Sequence, residues 1–83
     1  MGQEAEPVLA EVAAASKALG TRIRFLRRER GWSQEHLAEL ARVHRTYLWG
    51  IERGVRNPSL RHLVMIAAAL GVPLADLFAT PDE

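Results

Sequence analysis

The sequence predicts an all-α domain, and three observations carry that prediction. Apolar residues recur at steps of three and four over most of the chain: Val8, Val12, Ala15, Leu19, Ile23 and Leu26 first, then Leu37, Ala38 and Ala41, then Leu48 and Ile51, then Leu60, Leu63, Ile66, Ala67 and Leu70. Between these stretches stand residues that start or stop helices: Gly31 and Ser33, Gly54, Asn57-Pro58-Ser59, and Gly71-Val72-Pro73. Finally, 83 residues with 48% apolar content supply one small packed core and not two.

In chain order, Met1 to Glu6 is short, polar and acidic, and is expected to be disordered. Proline suits a first helical turn, so a helix is expected from Pro7. Gly20 interrupts the stripe that follows. A glycine inside a helix costs about 1 kcal/mol, so one helix from Pro7 to Arg30 and two helices joined near Gly20 both remain open. The chain divides into an acidic extension (1–15), a domain (16–80) and a tail (81–83). The first domain helix, near Leu19 to Arg30, turns Ile23 and Leu26 inward and carries Arg22, Arg24, Arg27, Arg28 and Arg30 elsewhere. Gly31 ends it, and Trp32 plugs the core below.

From Ser33 to Gly54 the chain reads as two short helices joined by a turn too tight to be a linker, a helix-turn-helix. Ser33 caps the first, which turns Leu37, Ala38 and Ala41 inward; Val43 lies in the turn. The second starts near His44, buries Leu48 and Ile51, and leaves Arg45, Thr46, Trp49 and Arg53 on or near its outer face. A helix this short needs neighbours to hold it, so an outer face rich in hydrogen-bonding groups is placed there to be read.

After the turn at Asn57 to Ser59, the fourth helix buries Leu60, Leu63, Ile66, Ala67 and Leu70, yet Val64, Met65, Ala68 and Ala69 make its outer face apolar too. Such a face points to burial against a second copy. A last short helix, Leu74 to Ala79, is expected to dock through Leu77 and Phe78, and the dimer interface is expected at Val64, Met65, Ala68, Leu77 and Phe78.

Charge narrows the function. Residues 16–80 hold all eleven Lys and Arg against five acids, a net of +6, while both ends are acidic, so a modest overall charge of +1 conceals a basic domain suited to nucleic acid. With no cysteine there is no disulfide framework or thiolate metal site, and no long apolar run indicates export or membrane spanning, which makes the cytoplasm the expected location. His36, His44 and His62 lack metal-ligand spacing and no glycine-rich phosphate cradle is present, so no enzyme activity, metal or cofactor is expected.

The segments GWSQEHLAELA, IERG, NPSL and ALGVPLADLF, in that order, resemble those of the Cro/cI-like helix-turn-helix regulators of bacteria and phages, over roughly Leu19 to Phe78. The stretch HRTYLWGIERGVRN is similar to the controller proteins of restriction-modification systems. The resemblance implies a five-helix lambda-repressor-like DNA-binding domain, here with an extended or additional N-terminal helix. It implies a sequence-specific transcriptional regulator acting as a homodimer on a near-palindromic operator. Double-stranded DNA and a second copy are then the partners, and RNA polymerase a candidate third. The competing class is an antitoxin or adaptor of the same fold, gripping another protein through Trp49 and the apolar fourth helix.

Site residues follow from the resemblance and from side-chain chemistry. Arg45 can give paired hydrogen bonds to guanine O6 and N7, and Thr46 can donate, accept or touch a thymine methyl. Tyr47 either completes the core or reaches a base or phosphate. Trp49 is a partner surface, a thymine contact, or a ring lying over its own helix, the last being favoured. The family's Gln at the position of Gln34 contacts phosphate beside a helix N-terminus, and Arg53, Arg56 and Asn57 are the other expected phosphate contacts. Gly50 empties a position where relatives keep a base-reading residue, which shifts readout toward the helix start. The matching relatives often pair Arg27 with Glu52. Arg42 stands where a glycine is common and is expected to be left-handed or to redraw the turn.

Overall fold

In a computed structural model, which describes residues 2–79 and the side chains from residue 6 onward, α1 runs without a break over Gly2–Glu29. Its 28 residues, at 1.5 Å of rise each, account for the 43 Å long axis of the molecule. The expected disorder before Pro7 is therefore corrected for residues 2–6. Gln3, Glu4, Ala5 and Glu6 are good helix formers, acids suit a helix start, and Pro7 removes only one intrahelical hydrogen bond. Met1 and the tail from Thr80 lie outside the described residues.

α1 continues through Gly20 without a break, so among the described residues there is no separate N-terminal helix. The glycine allows contact with the end of α3 (Arg45–Glu52): a Cβ on Gly20 would overlap the carbonyl oxygen of Ile51 and come within 2.6 Å of that of Glu52. Gly54, at φ +76°, repeats the arrangement, since a Cβ there would stand 2.9 Å from Lys17 Cα. The two glycines let α1 lie backbone to backbone against the far end of α3.

α2 (Gln34–Ala41) packs on α4 (Leu60–Leu70) as α3 packs on α1, and a 3-10 helix (Leu74–Phe78) closes the bottom against α1 and α4. Among the described residues the fold is thus four α-helices and one short 3-10 helix, without strands. The expected fifth α-helix is this tighter turn, ending one residue before Ala79. The core is Leu19, Ile23 and Leu26 of α1 with Leu37, Ala38, Ala41, Leu48, Ile51, Leu63, Ile66, Ala67, Leu70 and Leu77. Leu77 is fully buried, so its assignment to a dimer interface is corrected: it anchors the 3-10 helix from within. Val64, Ala68 and Phe78 are exposed and Met65 is half-buried.

Four described residues are left-handed, Gly31, Arg42, Gly54 and Gly71, and each stands at the end of a helix. Gly71 (φ 74°) ends α4, and Arg42 (φ 60°, ψ 40°) ends α2, where the N–H of Val43 closes onto the carbonyl of Ala38 at 3.0 Å. Arg42 thus takes the conformation a glycine adopts freely, at a cost of about 1–2 kcal/mol.

Candidate nucleic-acid interface

Each helix of the central pair opens with a side chain that satisfies a free backbone N–H. Ser33 Oγ accepts from His36 N at 3.0 Å, and His44 Nδ1 accepts from Thr46 N at 3.2 Å. Each helix has only eight residues, so burial of Leu37, Ala38 and Ala41 in one and of Leu48 and Ile51 in the other holds them in place. The faces left over are exposed, with Arg45, Thr46 and Trp49 on α3 and Arg53 at its end.

Glu52 locks that pair to α1. Its Oε2 accepts from Arg27 Nε at 2.7 Å, and its Oε1 accepts from Arg27 Nη2 and from Gln34 Nε2, both at 2.9 Å. Arg27 also donates through Nη1 to the Trp32 carbonyl at 2.8 Å. With Arg27 7% and Glu52 3% exposed, this is a buried, fully hydrogen-bonded ion pair joining α1, the start of α2 and the end of α3. Gln34, read from the sequence as a phosphate contact, spends one amide proton on Glu52. Its second amide proton and the backbone N–H groups at the start of α2 remain for an anion.

Between the start of α2 and the outer face of α3 lies an open groove of about 490 Å³, lined by Ser33, Gln34, Glu35, Arg45, Thr46 and Trp49. Arg45 Nη1 and Glu35 Oε1 are 3.9 Å apart and both side chains are largely exposed, so water screens the pair and Arg45 leaves it at little cost. Trp49 is 46% exposed and carries the Arg53 guanidinium 5.1 Å from its ring centroid, one turn further along.

The remaining expected site residues, Tyr47, Arg56 and Asn57, are not part of this groove's lining. Tyr47 is half-buried between α3 and α4, its ring 4.7 Å from that of His62 and 5.6 Å from the Arg56 guanidinium, so the ring serves packing. The Arg56 stem crosses α3 over Gly50, where a Cβ would overlap Arg56 Cγ. Gly50 is itself buried. Its missing side chain seats Arg56, a packing role that the sequence reading of Gly50 did not include. Asn57 Oδ1 accepts from Ser16 Oγ at 2.7 Å, which leaves the Asn57 amide as an outward donor. Ser16 and the His44 cap were missed from the sequence: the first is one serine in an alanine-rich helix, and a histidine cap is uncommon. Among the described residues no cluster of His, Asp and Glu is arranged to hold a metal ion, and no helix is long and apolar enough to cross a membrane.

Comparison with known proteins places this architecture. Residues 23–77 match the family profile described as helix-turn-helix. The chain is similar to the immunity repressor protein of Bacillus phage phi105, 46% identical over 57 residues, which cover 69% of this chain and 40% of the repressor. Among solved structures it is similar to the restriction-modification controller protein C.AhdI from Aeromonas hydrophila, with a TM-score of 0.77 and 43% identity over 78% of this chain and 98% of that one. It is also similar to the biofilm regulator SinR solved in complex with DNA, with a TM-score of 0.70 and 40% identity over 74% of this chain and 98% of that one. The chain spans 40%, 61% and 60% of the length of three curated relatives.

Proposed function

The chain belongs to the helix-turn-helix family, and on that premise we propose that it is a cytoplasmic transcriptional regulator that binds double-stranded operator DNA sequence-specifically as a homodimer. The observation that carries this reading is the pairing of a locked inner face with a free outer one. Glu52 clamps α3 to its neighbours, while Arg45, Thr46 and Trp49 stand exposed beside the anion-ready start of α2. α3 then enters the major groove, Arg45 reads a guanine edge, and Thr46 and Trp49 contact neighbouring bases. The Gln34 amide, Arg53, Arg56 and Asn57 hold the phosphates on either side. Likeness to C.AhdI favours a controller role in a restriction-modification system.

Two copies are needed because one eight-residue helix offers few base contacts. Pairing through the exposed Val64 and Ala68 and the half-buried Met65 of α4 would set two reading helices roughly 34 Å apart on one face of a near-palindrome.

Competition titrations of variants against operator and scrambled duplex test the assignment. Arg45→Ala should lose about 1–3 kcal/mol at one base position in each half-site, so that operator and scrambled affinities converge. Gln34→Ala should weaken both duplexes by similar factors. If Arg45→Ala weakens both equally and leaves base preference intact, Arg45 is a backbone clamp and this reading assignment fails.

A further inference from the structure

The outer flank of α1 carries a pattern that neither the core nor the groove beside α3 uses. Val8, Glu11, Ala15, Ala18, Arg22 and Phe25 follow at steps of three, four, three, four and three, the seven-residue repeat that keeps two helices in contact along a seam. Arg22 is half-buried and the other five are exposed. Toward the C-terminal half of α1 this seam opens on an apolar groove of about 580 Å³ between α1 and the 3-10 helix, walled by Ala15, Ala18, Phe25 and Phe78. Both phenylalanines are more than half exposed. Arg22 Nε donates to the Asp76 carbonyl at 2.8 Å and its guanidinium lies 5.8 Å from the Phe25 ring centroid, which anchors the cation on the groove wall.

Charge along the helix is segregated. Residues 2–15 contain Glu4, Glu6 and Glu11 and no cation, whereas residues 16–29 contain Lys17, Arg22, Arg24, Arg27 and Arg28 against the single acid Glu29. Such a helix complements itself only when reversed. We propose that α1 pairs antiparallel with the α1 of a second copy along this seam, about a two-fold axis between Ala15 and Ala18. Val8 then enters the second copy's groove against Phe25, Glu11 meets Arg22, and Ala15 meets Ala18, with every contact repeated by the symmetry. The two central alanine layers let the helices approach at the close end of the usual 8–10 Å range. Parallel pairing would set Glu11 against Glu11 and Arg22 against Arg22, and is excluded by like charge.

The residues that reach across stand on the overhanging half of α1, ahead of the matched family region that begins at residue 23. This interface is separate from the α4 face of Val64 and Met65. Where both form, copies associate beyond the dimer.

Charge reversal tests the pairing. In sedimentation velocity across a concentration series, Glu11→Arg and Arg22→Glu should each weaken one association step by about tenfold or more. An equimolar mixture of the two variants should restore it, because each then faces its opposite, and so should the chain carrying both changes. Glu11→Arg alters an exposed position beyond the core, so it carries the test even where Arg22→Glu disturbs the fold. Glu11→Arg sedimenting as wild type at every concentration overturns the proposal and leaves the groove to another occupant. A mixture that associates no better than its components overturns it equally.

Discussion

In the first half of α1, Val8, Leu9 and Val12 are 57%, 64% and 43% exposed, whereas in the second half Leu19, Ile23 and Leu26 are at 7%, 0% and 5%. The two sets continue one stripe at helical spacing on one unbroken helix. What separates them is company. From Ser16 onward α1 meets the end of α3, the loop at Gly54 and Asn57, and the 3-10 helix. Before Ser16 every described side chain is exposed. Periodicity therefore specifies a helix and the side it would bury, but burial itself depends on how far the other elements reach.

If the second half of α1 is where the fold is held, cutting its tie to α3 should have the largest effect. Glu52→Ala leaves the Arg27 guanidinium buried without its carboxylate and should cost about 3–5 kcal/mol in chemical denaturation. Replacing the pair by Met at Arg27 and Leu at Glu52 should recover much of that loss, since the remaining charge goes with it. A melting midpoint unmoved by Glu52→Ala would refute the tie.

Gly20→Ala comes next and sharpens the comparison through its sign. By helix propensity alone alanine should stabilise a mid-helix position by about 1 kcal/mol. Here the added methyl meets the backbone of Ile51 and Glu52, so the variant should instead lose about 1–3 kcal/mol. A more stable protein would mean that α1 and α3 separate easily.

The smallest effect belongs to the overhang. Val8→Ser with Val12→Ser should change unfolding free energy by no more than about 0.5 kcal/mol when measured at concentrations too low for association. A loss above about 1 kcal/mol would show that the first half contributes to the monomer core, and the contrast between the halves would collapse.

Much of this architecture is legible in the chain. Leu37, Ala38, Ala41, Leu48, Ile51, Leu63, Ile66 and Leu70 lie at helical steps, and Ser33 and Ser59 stand where caps belong, so the positions of α2, α3 and α4 follow from local chemistry. Leu77 and Phe78 differ because adjacent apolar residues on a short turn must face different ways, and nothing in their identity says which one enters the core. The spacing of Arg27 and Glu52 does not mark them as partners; only likeness to a family does. Gly20 and Gly50 read as a weak point and a missing side chain, yet each is a place where another segment passes. Contacts between residues distant in sequence, such as Ser16 with Asn57, leave no local trace at all.

The Glu52 clamp also bears on who deforms whom when protein meets duplex. One carboxylate standing on α3 takes hydrogen bonds from α1 and from the start of α2, so moving α3 off α1 would strand a buried charge, and moving α2 past α3 would break the Gln34 bond to the same carboxylate. On the proposed DNA-binding reading, these ties would resist adjustment of α2 and α3 to an imperfect groove. Misfit would then be taken up by bending or twisting the duplex, and flexible steps such as TA and CA/TG would help one sequence over another at positions no side chain reaches.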